Sequence, residues 1–203
     1  MARSRVPAPS CLAALLLLSL PSGAAGQSPP PSLEIQAGIG MPAFDLADRT
    51  GPGPAFGLEL GYRLSGRVSL VAGGDVELLS GDAGAVVDHP DVSVWHYGAG
   101  IEAGLLDPAR TYWRLRAGAG AGAATFDVSG GGSTTDAALW ASLELGRELS
   151  EEMELAVGLR PWLAFAGEGG RGADPRGGGS SAGGDGADTL WTFPLTAALR
   201  LTF

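Results

Sequence analysis

The sequence predicts an all-β protein, eight antiparallel strands closed into an up-and-down barrel. Three observations predict it. Apolar residues recur at every second position in eight separate stretches, the period of a strand with two unlike faces. The connections between those stretches alternate long and short, starting with long. The 203 residues also include 34 Gly and 14 Pro, which disfavours a helical protein.

Each stretch carries the pattern in its own way. "LEIQAGIGM" sets Leu33, Ile35, Ala37, Ile39 and Met41 against Glu34, Gln36, Gly38 and Gly40. "AFGLELGYRL" sets Phe56, Leu58, Leu60, Tyr62 and Leu64 against Gly57, Glu59, Gly61 and Arg63. "VSLVAGGDVEL" alternates Val68, Leu70, Ala72, Gly74, Val76 and Leu78 with Ser69, Val71, Gly73, Asp75 and Glu77. "SVWHYGAGIEAGL" alternates Trp95, Tyr97, Ala99, Ile101, Ala103 and Leu105 with His96, Gly98, Gly100, Glu102 and Gly104. "YWRLRAGAGAGAATF" alternates Trp113, Leu115, Ala117, Ala119 and Ala121 with Arg114, Arg116, Gly118, Gly120 and Gly122.

"AALWASLELG" is the weakest of the eight, because Trp140 falls on the small and polar face beside Ser142 and Glu144. "MELAVGLRPWLAF" puts Met153, Leu155, Val157, Leu159, Leu163 and Phe165 opposite Glu154, Gly158, Arg160 and Trp162. "TLWTFPLTAALRLTF" runs from Thr189 to Phe203, with an apolar residue at every second place from Trp191 onward. The long connections are 42–54, 79–91, 127–135 and 167–188; the short ones are 65–67, 106–110 and 147–152.

Residues 1–26 have the layout of a cleaved secretory signal. Arg3 and Arg5 precede the short apolar run "CLAALLLLSL", and small residues follow, with cleavage expected after Gly26. Residues 27–203 then form the barrel and contain no cysteine. They carry 11 arginines against 22 acidic residues, a balance of −11. That acidity argues against nucleic-acid binding. The chain has no Lys, which excludes a P-loop lysine, a Schiff base and a Ser–Lys dyad.

Two eight-stranded barrels share this alternation. A lipocalin-type barrel turns its apolar face inward around a ligand, and a membrane barrel turns it to lipid. The polar face here is crowded with glycine, which weakens a solvent-facing strand but suits a narrow lumen. Aromatic residues on the apolar face fall at the strand ends. Phe56, Trp95, Tyr97, Phe165, Trp191 and Phe193 lie toward the long loops, and Tyr62, Trp113 and Phe203 toward the short turns. Two aromatic girdles around an aliphatic belt are a bilayer pattern. Both features favour the membrane barrel.

On these strands, the alternating connections and the final "LRLTF", the chain resembles the small outer-membrane β-barrel family that includes the OmpA transmembrane domain and OmpX. The resemblance implies the outer membrane of a diderm bacterium, reached through the periplasm. It implies contact with outer-membrane lipids and lipopolysaccharide. It also implies that Leu199, Leu201 and Phe203 act as the signal read by the barrel-assembly machinery.

The inward face should hold a lumen charge network. Glu34, Glu59, Asp75, Glu77, Glu102, Glu144 and Glu154 supply acids; Arg63, Arg114, Arg116, Arg160 and Arg200 supply bases, with His96 able to join. Unpaired charges in a narrow lumen are costly, so these groups are expected to pair. Ser93, His96 and Glu102 share a strand, but Ser93 and His96 have opposite parity and cannot form a nucleophile–base pair. Asp88, His89 and Asp91 in "DHPD" read as turn chemistry. "AGAGAGAA", from Ala117, lacks the strand–turn–helix setting of a phosphate loop. No catalytic residue, cofactor or metal site is expected. The function expected is that of an integral envelope component with surface loops open to an unknown partner. The alternatives are a narrow pore for small solutes, a soluble binding barrel and a lipid A-modifying enzyme.

Overall fold

A computed structural model describes residues 30–47, 50–81, 91–106, 112–165 and 189–203. The expected signal 1–26, the Gly-rich connection 167–188, Asp88 and His89 lie outside these residues. The eight barrel strands are β1 Ser32–Gly40, β2 Gly53–Arg63, β3 Val68–Gly81, β4 Val92–Gly104, β5 Trp113–Val128, β6 Ser133–Glu148, β7 and β8. β7 is made of Met153–Leu159 and Trp162–Phe165, and β8 of Thr189–Thr192 and Leu195–Thr202.

Every strand pairs antiparallel with its neighbours in sequence, and β8 returns to β1. The closing ladder runs from Ser32 opposite Thr202 to Ile39 opposite Leu195. The Phe203 N–H donates to the Pro31 carbonyl at 3.1 Å, so pairing reaches the end of β8. Closure satisfies the backbone groups that an open edge would present to lipid.

The apolar face is outside. Ile35, Phe56, Leu58, Trp95, Ile101, Leu139, Leu143, Leu155, Val157 and Leu195 are exposed, while Glu34, Glu59, Glu77, His96, Glu102 and Glu144 are buried within. A lipocalin-type barrel would have the reverse arrangement.

Several expected boundaries move. The connection expected at 127–135 shrinks to a tight turn, because β5 continues to Val128 and β6 begins at Ser133. Gly130 takes φ +77°, and the Gly131 N–H donates to the Val128 carbonyl at 2.9 Å. β6, read as the weakest strand, spans 16 residues and alternates buried and exposed from Ala137 to Arg147. Its inward Trp140 is no disruption, because glycines on β4 and β5 make room for the ring.

β7 and β8 are each interrupted near a proline, Pro161 and Pro194. Neighbouring backbone bridges the gaps: Arg160 N–H donates to the Pro194 carbonyl and Ala141 N–H to the Pro161 carbonyl. The connection 42–54 contains structure of its own. Pro42–Ala43 adds to β8 at Trp191 and Thr192, a 3₁₀ turn covers Phe44–Leu46, and Thr50–Gly51 pairs with Gly81 and Ser80. That turn carries Leu46 into the barrel mouth, where it is 2 % exposed.

Candidate functional site: the barrel interior

Inward positions on eight strands meet in a narrow space, and there they sort into layers. Toward the short-turn end lies a charged layer of three guanidiniums and five carboxylates. Arg200 on β8 donates from Nε to Glu34 Oε2 at 2.6 Å and from Nη1 to Glu102 Oε2 at 2.7 Å. Its Nη2 lies 3.4 Å from Glu144 Oε2. Arg116 on β5 reaches Glu154 Oε1 at 2.5 Å and Glu144 Oε2 at 3.1 Å. Arg160 on β7 reaches Glu59 Oε2 at 2.6 Å and Glu144 Oε1 at 3.4 Å. Gln36 Nε2 donates to Glu34 Oε1 at 2.6 Å. Each guanidinium serves two or more strands, because its fan of donors can address several carboxylates at once.

Two of the arginines named from sequence sit elsewhere. Arg114 pairs with Glu148 at the short-turn rim, away from the inner layer. Arg63 is exposed at that same rim. Both line a polar cavity of about 210 Å³ with Arg67, Glu102, Arg116, Glu154 and Arg200. The end position of Arg63 on β2 accounts for its exposure: a side chain at the last rung has water within reach.

Above the charges is an aromatic layer. Trp140 on β6 and Trp162 on β7 lie with ring centroids 6.2 Å apart, and Arg160 Cζ sits 5.1 Å from the Trp140 ring. Gly100, Gly120 and Trp140 occupy one cross-strand row on β4, β5 and β6. A Cβ on Gly100 or Gly120 would fall 2.5–2.6 Å from the indole, so the "AGAGAGAA" run is part of the floor on which Trp140 lies. A small cavity of about 10 Å³ in this layer is lined by Glu59, Gly73, Gly98, Arg160 and both tryptophans. That is no more than a single water requires.

Next come Asp75, Glu77 and His96. His96 Nδ1 lies 2.8 Å from Asp75 Oδ2 and 3.5 Å from Glu77 Oε1, and its ring stacks on Trp162 at 4.6 Å and 8°. Toward the long-loop end the interior becomes apolar. Leu46, Leu79, Val92, Val94, Ala124, Phe126, Val128 and Leu190 belong to one buried cluster with Trp140 and Trp162. Sequence reading expected charge and glycine to fill the lumen and missed this apolar layer. Leu79 and Val128 were assigned to loops, so their inward parity was invisible.

Ser93 is partly exposed while its neighbours Val92 and Val94 are buried, which sets it on the face opposite His96. His96 and Glu102 do share the inner face but stand six residues apart, about 20 Å along a strand. Of the girdle aromatics, Phe56, Trp95, Tyr97, Trp113, Phe165 and Phe203 are exposed on the outer surface. Tyr62, Trp191 and Phe193 are half-buried. Trp191 and Phe193 stack at 5.9 Å, and Phe44 meets Trp191 edge-on at 6.0 Å. Leu199 and Leu201 are half-buried on β8, paired with Ile35 and Leu33.

A closed antiparallel barrel with aliphatic and aromatic side chains outside and paired charges inside is a membrane-spanning barrel. Residues 10–160 match the family described as "Outer membrane protein beta-barrel domain". The chain belongs to that family. Among solved structures it is similar to Neisserial surface protein A, with a TM-score of 0.61 and 14 % identity over 85 % of this chain and 97 % of that one. It is also similar to the attachment invasion locus protein Ail of Yersinia pestis, with a TM-score of 0.48 and 16 % identity over 86 % and 99 % of the two chains. At 14 % identity the likeness to Neisserial surface protein A speaks for the fold alone. No curated protein matches the sequence significantly.

Proposed function

We propose that the protein is a non-conducting integral component of the outer membrane, exported through the periplasm, with its long loops as the surface for any partner. The filled interior is the observation that supports this reading. From Trp140 and Trp162 to Leu46, the described residues of the long-loop half form one buried cluster of apolar and aromatic side chains. The outward belt would contact outer-membrane lipids and lipopolysaccharide. Leu199, Leu201 and Phe203 would serve the barrel-assembly machinery, as in the family resembled.

A narrow pore is the second reading, favoured by the 210 Å³ polar cavity at the short-turn end. Planar bilayers separate the two. The wild-type barrel should insert, as judged by heat-shifted gel mobility, and remain electrically silent. Trp140→Gly combined with Phe126→Ala should admit ions by removing the seal. Stepwise wild-type conductance that changes in Arg116→Ala would overturn the closed reading.

A further inference from the structure

Asp75 and His96 are direct cross-strand partners on β3 and β4, and Glu77 is the next inward residue on β3. All three are buried, with Glu77 fully so. One ligand atom from each lies within 4.8 Å of the others. Glu77 stands beside Val94 in the register, and Val94 beside Phe126, so its carboxylate occupies the rung where the apolar layer begins. Asp75 Oδ1 and both Glu77 carboxylate oxygens lack a partner at hydrogen-bond geometry among the described residues, and the groups beside the two carboxylates are the shared His96 imidazole and the Thr192 hydroxyl. The arginines of the charged layer form their ion pairs with Glu34, Glu59, Glu102, Glu144 and Glu154.

Two buried carboxylates that share a single imidazole inside an apolar wall are costly to hold. A cation would remove that cost. One imidazole nitrogen with two carboxylates is a donor set for a divalent first-row ion. Bonds of about 2.0–2.1 Å to a tetrahedral zinc place ligand atoms roughly 3.3 Å apart. The separations from His96 Nδ1, 2.8 Å to Asp75 and 3.5 Å to Glu77, bracket that edge. Trp162 stacked on the imidazole holds its ring plane, and the Thr192 hydroxyl, 3.4 Å from His96 Nε2, faces the other ring nitrogen. A partner on the distal nitrogen is what a metal-bound histidine ordinarily has.

We propose that Asp75, Glu77 and His96 form an internal binding site for one divalent first-row transition-metal cation, for which zinc is the probe. The ion would enter as the barrel closes, since wall residues cover the site from both ends. Binding requires both carboxylates and Nδ1 deprotonated, so the protons they carry are released to solvent. The role is structural, and it is independent of whether the barrel conducts.

The test uses untagged protein refolded into detergent with ZnCl₂ or with EDTA, then dialysed against EDTA-free buffer. Elemental analysis should find close to one zinc per barrel. Glu77→Gln and His96→Gln should each lower that at least tenfold, and His89→Ala should leave it unchanged. Zinc should raise the unfolding temperature of the wild type and not of Glu77→Gln. Glu77→Gln should be no less stable than wild type in EDTA, because it removes one of two buried carboxylates that share the His96 imidazole; that outcome shows that the variant folds. Wild-type barrels with less than about a tenth of a zinc would overturn the site, as would zinc retained in both site variants or lost in His89→Ala.

Discussion

Arg200 concentrates the energetics of the interior in one side chain. It sits between Glu34, Glu102 and Glu144, which arrive from three other strands. Removing it leaves buried carboxylates facing one another, and breaking one partner out of a buried ion pair costs about 3–5 kcal/mol. Arg200→Ala should therefore lower stability by that amount in urea unfolding from detergent micelles or vesicles. Arg200→Lys should recover less than half of it, because an ammonium is a single point and cannot span three carboxylates. Equal stability of Arg200→Lys and wild type would show that charge alone, without the fork, is enough. The residue identities were readable beforehand: inward parity named Arg200, Glu34, Glu102 and Glu144. Their pairing was not, because Glu34 and Glu102 come from β1 and β4, and reach across a lumen is a distance no single strand records.

At the level of elements, strand existence followed from local alternation, and strand ends did not. β5 and β6 run past the Thr- and Ser-rich stretch 127–135 because each supplies the other's hydrogen bonds, up to Asp127 opposite Ser133. A composition that reads as loop in isolation becomes strand when a partner is already in register. The turn between them depends on Gly130, whose φ of +77° disfavours any residue with a Cβ. Gly130→Ala should cost about 1–2 kcal/mol. Gly66, in the turn between β2 and β3, also has open space where a Cβ would project but no such backbone angle, so Gly66→Ala should be near neutral. Thermal unfolding of the two variants side by side checks the contrast, and equal shifts would refute it. The glycines of β4 and β5 show a similar dependence on a neighbour. Their run suggested a crowded lumen, and the object crowding it proved to be Trp140 of β6, on the next strand over.

For the whole molecule, the direction of the faces decides the solvent. Leu58 sits near the middle of β2 on the outer surface, 52 % exposed. An arginine there would face the bilayer near its midplane, at a cost of roughly 2–4 kcal/mol. Leu58→Arg should thus reduce folding yield into vesicles and abolish the heat-dependent gel shift at lower urea than wild type. In a barrel whose outer face met water, the same change would be tolerated; an unaffected Leu58→Arg would argue for that arrangement.

The amino-acid sequence was sufficient for the outline: eight strands, their order, which residues face outward and which inward. Those properties depend on a period of two and on turns between neighbours, and both are local. It could not specify the layering of the interior. Where the charged, aromatic and apolar layers of the lumen would lie depended on cross-strand register. Register brought Gly100, Gly120 and Trp140 into one row and Asp75 beside His96. It also carried Leu46 in from a connecting segment to cap the mouth. The physical reason is that alternation is a property of one strand, whereas packing inside a closed barrel is a property of all eight at a given height.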